Sequence, residues 1–324
     1  MKPVFRRVEE IPARFGPSVG AIGNFDGVHR GHRMILQAAV DQARKLGARA
    51  IAITFEPHPE HFLRPAAAPR LLTPMAERLR LLAETGVDAV VVLPFDAAMA
   101  AMPPRAFVEQ ILAGALGVVA LHEGGNFRFG RHAEAGVAEL MEFGAEFGFE
   151  VTVHEPVHVR GLEVSSSAVR ALVAAGDVRR ARWMLGRPFG VLSTPARGRG
   201  VGTRLLVPTV NLAPYDGLLP GFGVYVTRLT VRNSALGLAG GRRFQAVTNV
   251  GNRPTFEGVG FGVETHILDF EPIELTEETP LELEFLFHLR GEKTWHSPEA
   301  LKAQIFKDVA RAKRYFRLNA ASSS

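Results

Sequence analysis

Two histidines in a glycine-rich segment are the residues of this sequence that point most directly to chemistry. The segment GNFDGVHRGH occupies residues 23–32, and His29 and His32 stand three residues apart. Side chains with this spacing share one side of a first helical turn. Imidazoles placed there can donate hydrogen bonds to phosphate oxygens whose charge grows during a displacement reaction. The alternative, two exposed loop histidines, is disfavoured by the surrounding glycines.

The same segment follows a predicted strand and opens a predicted helix, which is where an α/β sheet presents its ligand crevice. Gly23, Gly27 and Gly31 let the backbone turn tightly and come close to a ligand, and Phe25 and Asp26 lie between them. The free N–H groups and positive dipole end of a helix N-terminus attract phosphate. We therefore assign these five residues to an ATP or phosphate site.

Three further segments are predicted at strand ends or helix starts, on the same side as the first. They are TFEPHP at 54–59, GGNFRFG at 124–130 and VSSSAVR at 164–170. In the last, Ser165 and Ser166 can cap a helix and offer hydroxyls to a phosphate, while Arg170 supplies positive charge. Plain helix capping is the alternative for these serines.

A second candidate site lies in the C-terminal half, where PTVN occupies residues 208–211. Thr209 and Asn211 alternate along a predicted strand, so both face one side and can hold a metal and phosphate oxygens. Glu264 is the best general base for an alcohol that must lose its proton. The segment RGRGVGTR at 197–204 can fold over a triphosphate. Each feature has an alternative interpretation. PTVN is then a plain strand start, Glu264 a surface carboxylate on an edge strand, and the segment at 197–204 an RNA-contacting loop.

Alternating apolar runs and helical patterns in the first half predict a parallel sheet covered on both faces. Strands are predicted at 18–22, 50–55, 88–93, 117–121 and 150–153, and helices at 31–46, 74–84, 103–113, 133–147, 165–174 and 178–185. We expect a Rossmann-like α/β domain over residues 1–185.

After residue 186 the pattern changes to short strands punctuated by Gly and Pro, which predicts a small six-stranded antiparallel barrel over residues 186–318. The strands are predicted at 190–194, 207–212, 224–231, 244–250, 262–268 and 281–289. In the last strand, residues 281, 283, 285, 287 and 289 are expected to share one face. A C-terminal helix capped by Ser297 is expected to bury Leu301, Ile305 and Val309, and residues 319–324 to form a flexible tail.

Composition limits the class of protein. The 324 residues contain no cysteine, which excludes disulfides and thiolate metal sites, and no apolar run is long enough to cross a bilayer. The first residues lack the apolar core of a secretory signal, so we expect a cytoplasmic protein. The net charge of +5 comes from scattered basic residues interleaved with 33 acidic ones. This favours phosphate-bearing small molecules over nucleic acid or a membrane as partners.

The histidine motif resembles that of nucleotidyltransferases that move AMP or CMP onto a phosphate. Taken in order, the first-half segments resemble the N-terminal module of bifunctional bacterial riboflavin kinase/FAD synthetases. The resemblance implies adenylylation of FMN with ATP and magnesium. By position, it assigns His29, His32, Ser165, Ser166 and Arg170 to the ATP phosphates, Phe55, Pro57 and His58 to the flavin side, and Asn126, Phe127 and Arg128 to the site near the flavin and the reacting phosphates.

The second half resembles the riboflavin kinase barrel of the same family, which implies that riboflavin is phosphorylated to FMN there. The resemblance assigns Thr209 and Asn211 to the magnesium–nucleotide, Glu264 to the general base, Gly202 to the nucleotide and Arg290 to the flavin. One departure is that Leu206-Val207 precede Pro208, where relatives usually have Gly-Phe. Two other hypotheses stay open: a FAD synthetase with a degenerate barrel, and a nucleotidyltransferase with a nucleic-acid-binding barrel.

Overall fold

The computed structural model describes residues 2–196, 209–232, 241–255, 258–269 and 274–320. The chain divides into two compact units, Met1–Ser166 and Ser167–Ser324. Each unit has its own sheet, and the expected fold class is confirmed in both. The six C-terminal residues were expected to form a tail, but the last helix includes residues 319 and 320.

The first unit is built on a six-stranded parallel sheet with the strand order β1-β4-β3-β2-β5-β6. All five residues of β2 are buried, as expected for a central strand covered on both faces. The order reverses between β2 and β5, and this reversal opens a crevice at the carboxyl ends of the two strands. The strands are β1 (Val4–Phe5), β2 (Ser18–Ile22), β3 (Arg49–Glu56), β4 (Ala89–Pro94), β5 (Val118–Gly124) and β6 (Glu150–His154), and a separate hairpin pairs β7 (His158–Val159) with β8 (Leu162–Glu163).

The helices of the first unit follow the predicted order, but two predicted helices differ in the structure and two short helices, Pro59–Leu63 and Ala97–Ala101, were not predicted. The helices are α1 (Arg30–Leu46), α2 (Pro59–Leu63), α3 (Met75–Ala83), α4 (Ala97–Ala101), α5 (Pro104–Ala106) and α6 (Val137–Phe147). The predicted helix at 103–113 is instead α5 followed by a π-helix, Phe107–Ala115. The predicted helix at 133–147 begins only at Val137, because His132 and Ala133 both have φ of 54° and interrupt a regular helix.

Two hydrophobic cores stabilise this unit, one on each face of the sheet. The π-helix and α6 contribute to one core, and α1 and α3 to the other. Alternate residues of β2 and β5 belong to different cores, so Leu121 faces the π-helix side and Ala120 faces the α1 side. The sheet is therefore held rigidly where its central strands end.

The second unit is a six-stranded antiparallel sheet with the order β10-β13-β12-β11-β14-β9. Its two edge strands meet: Ala196 donates its N–H to the carbonyl of Asn211 over 2.9 Å, and Ala213 donates to Thr194 over 2.8 Å. These bonds flank a bridge between Pro195 and Leu212 and close the barrel. The strands are β9 (Phe189–Ser193), β10 (Thr209–Asn211), β11 (Gly223–Val231), β12 (Arg242–Thr255), β13 (Gly258–Ile267) and β14 (Leu281–Arg290).

A β-bulge changes the expected alternation of β14. The register with β11 shifts between Val226 and Thr227, which pair with Phe287 and Phe285. An extra residue in one strand turns the following side chains to the other face. Phe285 therefore contacts the ring of Tyr225, whereas Phe287 packs against Tyr315 of the last helix. The prediction that residues 281–289 present one continuous apolar face is wrong beyond Phe285.

Three helices complete the second half of the chain: α7 (Ser166–Ala174), α8 (Val178–Leu185) and α9 (Pro298–Ala320). The hydroxyl of Ser297 accepts the N–H of Ala300, which confirms the predicted cap of α9. Leu301 is exposed, contrary to the predicted stripe. The side chains that α9 buries are Asp308, Ala312 and Phe316, with Ile305 and Val309 partly buried. None of the helices in the described ranges is long and apolar enough to span a membrane.

Candidate functional site

The paired histidines stand together at the start of α1, immediately beyond β2. His29 is the N-cap residue, and its Nδ1 accepts the backbone N–H of His32 over 3.3 Å. The two rings are stacked, with centroids 3.6 Å apart and planes 17° apart. Gly31 allows this arrangement, since a Cβ on it would lie 3.2 Å from the His29 ring. The sequence spacing therefore produces a compact imidazole pair at a helix N-terminus.

The capping hydrogen bond fixes the protonation pattern of His29. A ring nitrogen that accepts an N–H must carry a lone pair, so the neutral ring of His29 bears its proton on Nε2. Nε2–H is then the donor that His29 can offer to an oxyanion. The helix N-terminus adds a positive dipole end at the same place.

The loop before α1 adopts backbone angles that few residues tolerate. Phe25, Gly27 and Val28 have φ of 47°, 84° and 38°. Such left-handed angles persist only where the surroundings determine them. The ring of Phe25 lies edge-on to His32 at 5.2 Å and against Gly23, where a Cβ would be 3.3 Å away. Phe25 thus packs beneath the histidine pair and supports it.

Asp26 holds the loop in place from below. Its carboxylate is buried and accepts the N–H groups of Leu72 and Thr73, both over 2.9 Å, and the Thr73 hydroxyl over 3.2 Å. The Thr73 hydroxyl oxygen also accepts the N–H of Gly27 over 3.1 Å. Buried Arg78 lies 4.0 Å from the carboxylate. In this arrangement the carboxylate of Asp26 fixes the shape of the loop at 23–29, which the sequence alone did not reveal.

Replacing Asp26 by Ala is expected to destabilise the first unit selectively. The change leaves two buried N–H groups and a buried guanidinium without their carboxylate, and breaking a buried pair in this way costs about 3–5 kcal/mol. Denaturant unfolding followed by far-UV circular dichroism should show an earlier transition. Tryptophan fluorescence is the internal control, because Trp183 and Trp295 both lie in the second unit. An equal shift of both signals would contradict the local role.

The serine run is connected to the same loop. The hydroxyl of Ser166 donates to the carbonyl oxygen of Asp26 over 2.8 Å, and Ser165 precedes it at the start of α7. Arg170 lies four residues further along α7 and belongs to the second unit. Ser166 therefore contacts the loop at 23–29 through a hydrogen bond to its backbone.

An aromatic cluster lies beside the residues expected on the flavin side. Phe55, near the end of β3, contacts the ring of Phe95 at 5.8 Å, and Phe62 of α2 contacts Phe95 at 6.0 Å. His58 is buried and caps α2 by accepting the N–H of Glu60 over 3.2 Å, directly after Pro57. The sequence analysis did not single out Phe95 or Phe62, which follow β4 and lie within α2 and complete this aromatic cluster.

The segment after β5 carries the other residues expected near the flavin. Asn126 is exposed, and Phe127 stacks on Phe129 with centroids 5.5 Å apart. The guanidinium of Arg128 donates to the carbonyl of Ala133 over 3.0 and 2.8 Å. Arg128 thus holds its own loop by these hydrogen bonds, and both Asn126 and Arg128 are exposed to solvent.

In the barrel, the candidate kinase residues form a row across three strands. Asn211 of β10 is paired with Glu264 of β13, and Glu264 is paired in turn with Asn249 of β12. Directly opposite residues in a sheet present their side chains on one face. Thr209, two residues before Asn211, shares that face. The register therefore places Asn211 directly opposite Glu264, and Thr209 opposite His266 on the same face.

The side-chain amide oxygen of Asn211 is buried. This atom, Oδ1, has no hydrogen-bond partner among the residues described, although the side chain is buried. Thr209 is exposed beside it. Within the same residues no group of three His, Cys, Asp or Glu side chains is arranged to hold a metal. Gly202 and the segment at 197–204 lie outside the described residues.

Arg290 is held by the last helix. Its Nε and Nη2 each lie 2.9 Å from Oδ2 of buried Asp308, and its guanidinium carbon lies 5.5 Å from the ring centre of Trp295. Gln304 donates to the other oxygen of Asp308 over 2.9 Å. Arg290 therefore fixes α9 to β14, a role that its expected place at the flavin did not include.

Comparison with known proteins covers both units. The family model described as FAD synthetase matches residues 12–168, and the model described as riboflavin kinase matches residues 185–316. The chain is 35% identical over 297 residues to the bifunctional riboflavin kinase/FMN adenylyltransferase of Escherichia coli K12, covering 92% of each chain. The protein of that name from Pseudomonas fluorescens is 36% identical over 298 residues, with 91% of this chain and 92% of the relative covered.

A solved structure shares the fold. It is named as a macrolide-efflux protein from Streptococcus pneumoniae and superposes with a TM-score of 0.83. The match covers 96% of this chain and 98% of the other at 24% identity. This likeness supports the architecture of both units and carries no information on activity.

Proposed function

The chain belongs to the family of bifunctional riboflavin kinase/FMN adenylyltransferases, and on that premise we propose how its residues divide the two reactions. The protein phosphorylates riboflavin to FMN and adenylylates FMN to FAD. We assign adenylylation to residues 1–185 and phosphorylation to residues 186–318. We further propose that the reactions occur in the cytoplasm and use Mg²⁺.

For adenylyl transfer, the proposed centre is the histidine pair at the start of α1. An oxygen of the FMN phosphate attacks the α-phosphorus of ATP, and the bond to the departing pyrophosphate breaks. No general base is needed, because the attacking phosphate is already an anion, so positioning and charge neutralisation suffice. His29 donates from Nε2, and His32 is the second donor, whose stacking at 3.6 Å also keeps the His29 ring in place. The loop fixed by Asp26 and Ser166 presents both rings.

For riboflavin phosphorylation, the observation that carries the proposal is the pairing of Asn211 with Glu264 across β10 and β13. The terminal hydroxyl oxygen of riboflavin attacks the γ-phosphorus of ATP, and ADP departs. The hydroxyl proton moves to the carboxylate of Glu264. Asn211 lies across the register from this base, and Thr209 lies two residues away on the same face, where the two can hold the phosphate chain.

The barrel residues fit a magnesium ion. Magnesium prefers oxygen ligands, and the unpaired Oδ1 of Asn211 and the hydroxyl of Thr209 are of that kind. Bound there, the ion would neutralise charge on the transferred phosphoryl group. Glu264 lies on the same face of the sheet, and we assign it to proton transfer and not to the metal.

Asn211→Ala is therefore expected to raise the magnesium concentration for half-maximal riboflavin phosphorylation by at least about tenfold. Magnesium titration of FMN formation measures this. Titration of FAD formation from FMN in the same preparation is the control and should not move. An unchanged magnesium requirement of the kinase would remove Asn211 from the metal site.

A product assay on the whole chain tests the division of labour. Incubation with riboflavin, ATP and magnesium should give FMN and then FAD, and incubation with FMN should give FAD and pyrophosphate. Formation of FAD from FMN without any FMN from riboflavin would mean that the barrel is degenerate. Salt-sensitive RNA binding without flavin binding would favour a nucleic-acid module instead.

A further inference from the structure

A buried carboxyl group lies at the reversal point of the first sheet, next to the loop that bears the histidines. Glu123 is the last residue but one of β5 and is 3% exposed. One of its oxygens, Oε1, accepts the backbone N–H of Ile22 over 2.6 Å. Ile22 ends β2, and the loop at 23–29 begins with the next residue.

This hydrogen bond takes the place of a backbone hydrogen bond that β2 and β5 do not make. The paired register between β2 and β5 ends at Ala21 and His122, so the two strands separate at the next residue. A buried N–H without a partner is costly. The carboxyl group of Glu123 supplies the acceptor at the place where the neighbouring strand has moved away. On the other side, Gly23 donates to the carbonyl of Ile53 over 3.0 Å, so the strand exit is held from both neighbours.

We propose that Glu123 is a positioning residue for adenylyl transfer: by accepting the Ile22 N–H where β2 and β5 separate, it sets the direction in which the histidine loop leaves the sheet. The inference rests on the assignment of FMN adenylylation to the first unit. Glu123 acts through the loop, which carries His29 and His32 to the phosphates.

The surroundings of Glu123 favour an uncharged carboxyl group. Burial raises its pKa well above the usual 4.5, and the Ile22 hydrogen bond opposes the shift only in part. By alternation with Leu121, Glu123 lies on the face covered by the π-helix and α6, whereas His122 points to the α1 face and contacts Gln42. The charged groups on the covering elements and adjoining loops are either exposed or bonded elsewhere: Arg105, Glu109, Arg128, Glu139, Glu142 and Glu146.

The raised pKa has a definite consequence for stability. A carboxyl group whose pKa is higher in the folded than in the unfolded state contributes stability that is fully present below 4.5 and is lost as the pH rises through the raised value. Glu123→Gln keeps an uncharged acceptor and removes this loss. Its melting temperature should therefore exceed that of the wild type at pH 8, and the difference should shrink toward pH 4.

The test compares Glu123→Leu, Glu123→Gln and the exposed control Glu142→Gln in the full-length protein. Glu123→Leu removes the acceptor and should lower kcat/KM for ATP in FMN adenylylation by about tenfold, while riboflavin phosphorylation continues. Glu123→Gln should restore most of the loss, and its adenylylation should fall less than that of the wild type as the pH is raised.

Several outcomes would overturn the proposal: wild-type adenylylation in Glu123→Leu, equal loss of both activities, or failure of Gln to restore what Leu removes. If Glu123→Leu does not fold, the pH profiles of Glu123→Gln and wild type decide, and coincident profiles would refute the role. A wild-type protein that makes no FAD from FMN would refute the assigned function itself, which is a separate result.

Discussion

Glu264→Gln is expected to lower kcat for riboflavin phosphorylation by about 10²–10⁴-fold, the range that a general base contributes. The amide keeps the size of the side chain but cannot take the proton of the riboflavin hydroxyl. Glu264 stands opposite Asn211 in the β10–β13 register, and the substitution leaves unchanged Thr209 and Asn211, the residues proposed to hold the nucleotide. Formation of FMN from riboflavin and ATP, followed by chromatography of the flavins, measures the effect.

Two controls distinguish loss of the base from loss of the fold. The same preparation should still convert FMN to FAD, because that reaction is assigned to the other unit. Glu278→Gln changes an exposed carboxylate of the second unit and should leave both activities intact. Normal kinase turnover in Glu264→Gln would rule out its role as the base.

His32→Ala is expected to reduce adenylylation of FMN by about 10²–10³-fold, as when one preorganised donor to a developing charge is removed. The substitution takes away one ring of the stacked pair and the surface that Phe25 contacts edge-on at 5.2 Å. His29 then loses the ring that fixes its orientation. Release of pyrophosphate from ATP and FMN gives the rate.

His158→Ala is the matched control, since His158 is an exposed histidine of the same unit on the β7–β8 hairpin. It should behave as wild type. Riboflavin phosphorylation by His32→Ala should also be unchanged. If both activities fell equally, misfolding would explain the loss better than a missing phosphate donor.

The sequence predicted the order and type of the sheet elements well, because buried parallel strands and the helices between them have different periodicities. All five predicted strands of the first unit and all six of the barrel are present, with altered ends. The π-helix at Phe107–Ala115 and the left-handed angles of His132 and Ala133 were not predictable. Both depend on local backbone geometry, which periodicity does not encode.

The burial of individual side chains was harder to predict where tertiary contacts override local pattern. Alternation in β14 predicted one face for Phe285 and Phe287, yet a bulge reverses it. In α9 the helical period predicted that Leu301 is buried, but Asp308 is buried instead because Arg290 pairs with it. Neither the bulge nor the ion pair has a signal within its own segment.

The parts of the candidate sites that lie within a single sequence motif were predictable. The spacing of His29 and His32, and of Thr209 and Asn211, indicated shared faces, and the structure has both. The contacts of Asp26 and Glu123 were not predictable, because each joins segments that are far apart in the sequence: Asp26 contacts Leu72 and Thr73, and Glu123 contacts Ile22. The one local sign of the Glu123 contact is that two ionisable residues, His122 and Glu123, stand near the end of the otherwise apolar strand at 118–124.

The closure of the barrel has a consequence for the strand that carries Asn211. The contact between the edge strands is made by two backbone hydrogen bonds, from Ala196 to Asn211 and from Ala213 to Thr194. By contrast, β11 is paired with β12 along all nine of its residues. Separation of the short strand β10 therefore costs less free energy than loss of the sheet behind it. Since Asn211 belongs to that strand, its side chain would move with any such opening while the remaining strands stay folded.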